Sequence, residues 1–141
     1  MSRTVLLALS LTSLRATAEP MASPVGHWVN PAESVIVEIS MCGDDRFCGH
    51  VRWASSKAAS DARAKGTESL TGTQLLLSFA PAGPGRWRGR LFVPDLRRTS
   101  RAELRVIDDQ QLKIVGCAAG RLICKSQIWR RVDPARIPPP G

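Results

Sequence analysis

Four cysteines are the residues of this sequence whose type and spacing could carry chemistry. Five residues separate Cys42 from Cys48, and six separate Cys117 from Cys124. Zinc sites favour cysteines two to four residues apart, and thiol oxidoreductases use C-x-x-C, so neither spacing fits these sites. Each pair flanks a short polar turn between strand-like runs. In an oxidising compartment, the favoured interpretation is two local disulfides, Cys42 with Cys48 and Cys117 with Cys124.

The start of the chain indicates that compartment. Arg3 precedes an apolar stretch at 4–14, and residues 16–18 are Ala-Thr-Ala, the small-x-small pattern that signal peptidase recognises. A membrane-spanning helix needs about 20 apolar residues, and Arg15 interrupts this run earlier. We therefore expect residues 1–18 to be a signal peptide, and the protein to be periplasmic or secreted and not membrane-spanning.

Catalytic residues find little support in the sequence. His27 and His50 have no carboxylate at a recognisable spacing, and the alternation of their strands directs both outward. Asp44 and Asp45 fall in a hairpin turn, where aspartate is favoured for backbone reasons. No G-x-S-x-G, P-loop or H-E-x-x-H motif occurs. The expectation is a domain that is not an enzyme and uses neither cofactor nor metal.

Arginine is concentrated on one outward face. Arg86, Arg88 and Arg90 alternate along one strand-like run, and Arg101 and Arg105 project from the next. If the two runs pair, the five guanidiniums are neighbours. Guanidinium groups can contact phosphate and carboxylate groups bidentately, so this face could meet an anionic envelope surface. Ordinary solvated surface is the alternative interpretation.

Composition is typical of one globular domain with a basic excess. The chain has 141 residues, of which 43% are hydrophobic and 23% charged. Its formal net charge is +8, and loss of Arg3 and Arg15 with the signal peptide lowers this to +6. A basic exported protein is attracted to anionic envelope surfaces more often than to nucleic acid. We expect no nucleic-acid partner.

Apolar residues recur with period two in eight segments, which predicts eight short strands. Turn-forming residues separate the segments, which lie at about 25–30, 34–41, 49–53, 73–79, 86–93, 99–107, 111–117 and 123–132. The long connection at 54–72 predicts a short helix from Ser56 to Lys65 that ends at Gly66, and this connection could be a binding loop or a solvated connector. The expected organisation is a linker at 19–24, one domain at 25–133 and a Pro-rich disordered tail at 134–141.

Eight antiparallel strands with mostly tight turns predict an all-β fold, a small up-and-down antiparallel β-barrel that is lipocalin-like, with a β-sandwich as the alternative. Trp28 lies in the first strand, and Arg130 and Arg131 lie at the end of the last. In a closed barrel these strands are neighbours. One of the two arginines could then cover the Trp28 ring in a cation–π contact at one barrel end.

The predicted strands also define a candidate ligand cavity. Apolar side chains expected to line it are Val37, Ile39, Trp53, Leu75, Leu77, Phe79, Trp87, Leu91 and Leu104. Eight strands enclose a space that side chains can fill or that can hold one small ligand, so the number of strands does not show whether a ligand cavity exists.

The order of the motifs resembles a family of exported bacterial proteins known as domain of unknown function 2147. The residues that carry the resemblance are Gly26, Trp28, Cys42, Gly43, Cys48, Gly49, Trp53, Gly72, Trp87, Gly89, Arg90, Pro94, Asp95, Gly116, Cys117, Cys124, Trp129 and Arg131. The resemblance implies a secreted β-rich domain without an assigned activity. Two departures from the family pattern concern polar groups: of an Arg-rich segment after the third strand only Asp61 and Arg63 remain, and Phe92 stands near a position where relatives have Tyr.

Two functions remain at this point. The first is an exported, non-enzymatic domain that binds a small apolar ligand within the barrel. The second is an envelope or surface interaction protein that contacts anionic glycolipid or a protein partner through the arginine-rich face.

Overall fold

A computed structural model describes residues 12–15, 22–118 and 123–139. Most of the expected signal peptide, residues 1–18, and the expected turn at 119–120 lie outside these ranges. The elements are β1 (Gly26–Val29), β2 (Val35–Gly43), β3 (Arg46–Ala54), α1 (Ser56–Ala64), β4 (Gln74–Gly83), β5 (Arg86–Val93), β6 (Arg98–Val106), β7 (Gln111–Ala118) and β8 (Ile123–Val132). Short 3-10 turns form at Pro94–Leu96 and Pro134–Arg136.

The strands form a closed eight-stranded barrel. Each strand pairs antiparallel with the next, and β1 pairs with β8, with Trp28 opposite Arg131. Closure leaves no sheet edge along the paired length of these strands. The predicted up-and-down barrel is therefore confirmed, and the β-sandwich alternative is wrong.

Alternating side chains from the strands fill the barrel interior. The largest fully buried ones are Trp28, Phe79, Ile39, Leu76, Leu104, Leu112, Val37 and Val51. Trp87 and Trp129 are also buried, and Phe47 packs edge-on against Trp87 with ring centroids 5.7 Å apart. The core is therefore built from inward positions of most strands, as expected for a small barrel.

Helix α1 bridges β3 and β4 at one end of the barrel. It begins after Ser55, whose side chain accepts a hydrogen bond from the Ala58 backbone N–H and so satisfies one unpaired amide of the first turn. The helix ends at Ala64, and Gly66 follows with a φ of +97°, a conformation that glycine adopts readily. Within the described ranges, no helix is long and apolar enough to cross a membrane.

Two cavity residues expected from strict alternation lie elsewhere. Leu77 pairs with Arg90 and is only half-buried, because β4 carries an irregularity at Ser78, which has a φ of +52°. Trp53 lies opposite Ile36 beside an irregularity in the β2–β3 ladder, and it is not part of the core cluster. An extra residue in one strand reverses the facing of every residue beyond it. The expectation that both side chains line the interior is therefore corrected.

The expected disordered tail also needs a correction at its start. Pro134–Arg136 form a 3-10 turn whose first amide is capped, since the Asp133 carboxylate accepts from the Ala135 N–H. A proline at the first turn position suits such a turn because it has no N–H to satisfy.

Candidate functional site

One barrel end is closed by Trp28 and Arg131. The Arg131 guanidinium lies 4.3 Å from the centre of the Trp28 ring, which is fully buried. Trp28 Nε1 donates to the Pro24 carbonyl at 2.9 Å. Arg131 donates to the carbonyls of Asp109 and Val25 at 2.6 and 2.9 Å. The cation is thus held over the ring by backbone acceptors.

Of the two arginines considered for this contact, the structure assigns Arg131. Arg130 points away and forms an ion pair with Glu33. The G-x-W motif requires glycine at position 26 because an added Cβ would collide with Arg131 Nη1, and because the φ of Gly26 is +141°. The motif therefore belongs to the closed end of the barrel.

The centre of the barrel is occupied by protein side chains. Among the expected cavity residues, Val37, Ile39, Phe79, Trp87 and Leu104 are all buried members of the core, at 9% exposure or less. Leu91 is partly buried against the same cluster. These side chains pack against one another in the core cluster.

A pocket of about 520 Å³ opens at the end of the barrel that carries α1. We call it the mouth pocket. Its apolar wall consists of Val35, Ala58, Ala62, Leu70, Leu75 and Pro94, and its polar wall of Asn30, Glu33, Ser34, Ser55, Lys57, Asp61 and Asp95, with Ala32 between them. Of the nine expected cavity residues, Leu75 lines this pocket.

Three chain segments build the mouth pocket. The turn between β1 and β2 is held by Asn30, whose Oδ1 accepts from the backbone N–H groups of Ser34 and Val35 at 2.8 and 3.0 Å. Helix α1 supplies a second wall, with Ala62 buried against the barrel. The turn at Pro94–Leu96 supplies the third. Short polar side chains of this kind hold tight turns by bonding to nearby amides.

Charged groups of both signs stand at the rim of the mouth pocket. Lys57 Nζ lies 2.6 Å from Asp61 Oδ2 one helical turn away. This hydrogen bond raises the pKa of Lys57, and the charge of Asp95 adds a smaller effect in the same direction. An apolar floor beneath a charged rim can hold a small amphipathic molecule, with its polar group at the mouth.

The arginine face is assembled across the β5–β6 ladder. Arg86 lies opposite Arg105, and Arg90 lies opposite Arg101. Glu103, between the pairs, accepts hydrogen bonds from Arg105 and Arg88. The hydrogen bond from Arg105 is the main cause of the lowered pKa of the Glu103 carboxyl, and the one from Arg88 adds to it.

The histidines have a carboxylate partner that their spacing in sequence does not reveal. Glu38 stands opposite both His27 and His50 in the ladders of β1, β2 and β3. His27 Nε2 lies 3.4 Å from Glu38 Oε2, and Arg52 binds the same carboxylate. The hydrogen bond from Arg52 is the main cause of the lowered pKa of Glu38. Strand register therefore brings Glu38 beside His27 and opposite His50, a proximity that spacing in sequence does not indicate.

Both disulfides are local. Cys42 is bonded to Cys48 and Cys117 to Cys124, with Cα atoms 5.7 and 4.1 Å apart. Each bond joins the two strands of one hairpin. The first lies near the β2–β3 turn, and the second joins the end of β7 to the start of β8. Within the described part of the chain, no cluster of side chains is arranged to bind a metal ion.

Sequence reasoning missed most of the mouth pocket. Glu33, Leu70 and Asp95 come from three separate connections, and no strand pattern links them. The one signal was the length of the connection at 54–72, since long connections in compact domains tend to be binding loops.

Comparison with known proteins concerns family and fold. Residues 26–131 match the family described as an uncharacterized protein conserved in bacteria, DUF2147. No curated protein matches the chain. Among solved structures it is similar to HP1028 from the human pathogen Helicobacter pylori, described as belonging to the lipocalin family, with a TM-score of 0.62 and 11% sequence identity over 81% of this chain and 86% of that chain. At this identity the similarity shows the fold alone. Because the family match spans almost the whole barrel, from β1 into β8, the chain belongs to the DUF2147 family.

Proposed function

We propose that this protein is an exported, non-enzymatic binding module whose small ligand occupies the mouth pocket rather than the barrel centre. The observation that supports the proposal most is the pocket itself. Its volume of about 520 Å³ lies within the range of roughly 300–1,000 Å³ that is usual for small-molecule sites, and such sites are common in the mouths of β-barrels. Two disulfides suit an oxidising compartment.

The lining favours an amphipathic ligand. Ala58, Leu70 and Leu75 offer an apolar surface on which a hydrocarbon or ring can rest. Asp61 and Asp95 stand beside it and can accept hydrogen bonds from the polar group of the ligand. A purely apolar molecule would make no use of these carboxylates, so we expect at least one donor group on the ligand.

Native mass spectrometry of the full chain, expressed with its own leader and purified from the envelope, tests the proposal. Ala58→Phe places a ring in the mouth pocket, whereas Ala64→Phe places the same ring at an exposed position on α1. A small molecule should co-purify with the wild type and Ala64→Phe and be lost from Ala58→Phe. Retention of that molecule by a folded Ala58→Phe variant would place the ligand elsewhere.

A second candidate function rests on the arginine face. Arg90 and Arg101 lie opposite each other, and neither forms an ion pair within the described ranges. Two neighbouring guanidiniums that are not paired with a carboxylate of the protein can together bind one phosphate or carboxylate group of a ligand. This candidate is an envelope interaction protein that contacts anionic glycolipid.

Binding to vesicles that contain anionic lipid tests the second candidate. Arg90→Ser combined with Arg101→Ser should weaken binding at low salt. Arg63→Ser combined with Lys65→Ser removes the same charge from the C-terminal end of α1 and the residue after it, and should weaken binding less. Wild-type binding should also fall as salt rises, because charges separated by more than about 8–10 Å are screened. Equal binding by the two double variants would show that vesicle binding depends on net charge alone and not on the arginine face.

A further inference from the structure

Strand β8 extends beyond its partner on one side. Strand β1 has only four residues and pairs with β8 at Arg130, Arg131 and Val132. On its other side, β8 pairs with β7 from Ile123 to Arg130. Among the residues that the structure describes, residues 125–129 therefore have a neighbouring strand on the β7 side only. We call the opposite side of this segment the β8 free edge.

The β8 free edge presents backbone groups that β1 does not pair with. The Arg131 N–H donates to Gln110, next to β7, at 2.9 Å. Backbone groups of a strand point alternately to its two sides, so the N–H groups of Ser126 and Ile128 point away from β7. Neither residue has a register partner in β1, because the β1–β8 pairs within the described ranges stop at Arg130. Such a row is a template for one more strand.

Local sequence explains why the edge is left open. After Val29, the Asn30 side chain binds the amides of Ser34 and Val35 and turns the chain away from β8. Pro31 follows immediately and cannot donate to a β-ladder. Strand β1 therefore stops where β8 continues. Lys125, Ser126, Gln127 and Ile128 are all exposed as a result, on both faces of the strand.

We propose that the β8 free edge receives an extended, acidic segment of a partner protein, which adds a strand beside β8. Backbone hydrogen bonds to Ser126 and Ile128 would supply affinity, as in other strand-addition complexes. Charge selects the partner. Lys125 is exposed on the edge strand itself, within the segment that β1 leaves unpaired. Cross-strand pairs of opposite charge stabilise a ladder, and pairs of like charge destabilise it.

A second copy of this chain fits the edge less well. Two β8 strands side by side would bring the Lys125 side chains of both chains to the same seam. The chain without residues 1–18 also carries a formal net charge of +6, that is +8 less Arg3 and Arg15, so two copies repel each other. An acidic segment gains from the same charges.

Two synthetic peptides serve as probes for the full chain without its leader. One alternates glutamate and threonine over ten residues, and the other alternates lysine and threonine. Both can extend as strands, so they differ only in charge. The acidic peptide should bind and slow hydrogen exchange at the Ser126 and Ile128 amides, and the basic one should do neither. Equal binding by both peptides, or protection confined to other amides, would overturn the proposal.

A pair of variants separates backbone pairing from simple charge attraction. Ser126→Pro removes the outward N–H, and proline is tolerated where an edge N–H faces solvent. Ser126→Ala keeps the N–H and removes only the hydroxyl. Affinity for the acidic peptide should fall about tenfold in Ser126→Pro, the effect of one lost hydrogen bond, and stay close to wild type in Ser126→Ala. If Ser126→Pro does not fold, hydrogen exchange of the wild type with the acidic peptide tests backbone pairing instead, through protection of the Ser126 and Ile128 amides.

Sedimentation of the wild type over a range of concentrations tests the competing occupant. We expect a monomer at all concentrations. A dimer that Ser126→Pro dissociates would show that a second copy occupies the edge, and would overturn the assignment to an acidic partner.

Discussion

At the scale of single residues, Trp28 and Trp53 provide a matched pair for testing the closed end. Trp28 is fully buried beneath Arg131, whereas Trp53 is half-buried outside the core. Trp28→Ala should lower the free energy of unfolding by about 3 to 5 kcal/mol, because it leaves a large cavity. Trp53→Ala should cost about 1 to 2 kcal/mol. Urea denaturation measures both, and equal losses would contradict the assignment of Trp28 to the core.

The Glu103 carboxylate gives the arginine face a pH dependence. Hydrogen bonds from Arg105 and Arg88 lower its pKa from the ordinary 4.5, so the unfolded chain takes up this proton first as pH falls. The stabilisation is present above pH 4.5 and is lost as pH falls through the lowered pKa of the folded state. Because both arginines are largely exposed, we expect less than about 1 kcal/mol.

Thermal unfolding between about pH 5 and pH 3 measures this contribution. Glu103→Gln should flatten the pH dependence relative to the wild type. Arg88→Gln combined with Arg105→Gln should flatten it similarly, since it removes both donors. An unchanged profile in both variants would show that Glu103 does not contribute.

At the scale of elements, each disulfide closes one hairpin. The bonded cysteines are only 6 and 7 positions apart, so each bond restricts the unfolded chain over a short loop. In the chain-entropy account, Cys117→Ser combined with Cys124→Ser should cost about 2 kcal/mol, and Cys42→Ser combined with Cys48→Ala a similar amount. Guanidinium denaturation measures the losses. Non-reduced peptide mapping should recover both local pairs, and a link between Cys42 and Cys117 would contradict the structure.

The elements were largely predictable because the period of two persists through most strands. Strands β5, β7 and β8 match the expected segments within one residue, and α1 lies within the range expected from 54–72. Prediction failed where a strand carries an irregularity. Ser78 has a left-handed φ, and serine at this position gives no warning of it in a strand-like run. The sequence therefore could not show whether the Leu77 side chain points into the barrel or away from it.

At the scale of the whole molecule, barrel closure was predictable and the pocket was not. Closure follows from general rules about sheet edges, and the G-x-W motif pointed to the correct end strands. The mouth pocket depends on how three connections pack together, and their contacts cross large separations in sequence. The sequence also did not reveal that Glu38 lies beside the two histidines, since His27, Glu38 and His50 become neighbours only through strand register.

The brevity of β1 has a further consequence, for the order in which the barrel opens and closes. The β1–β8 junction joins residues about one hundred positions apart with only three register pairs, whereas the other ladders join strands that are neighbours in sequence. Closing so long a loop costs the most chain entropy for the fewest contacts. We expect this junction to form last during folding and to separate first in the native state.

Native-state hydrogen exchange measures that order. Backbone amides that bond across the junction, such as those of His27 and Val29 in β1, should exchange through a partial opening that costs less free energy than global unfolding. Amides in the β5–β6 ladder should exchange only through global unfolding. Equal protection at both places would mean that the barrel opens as a single cooperative unit, with β1 as firmly held as the longest strands.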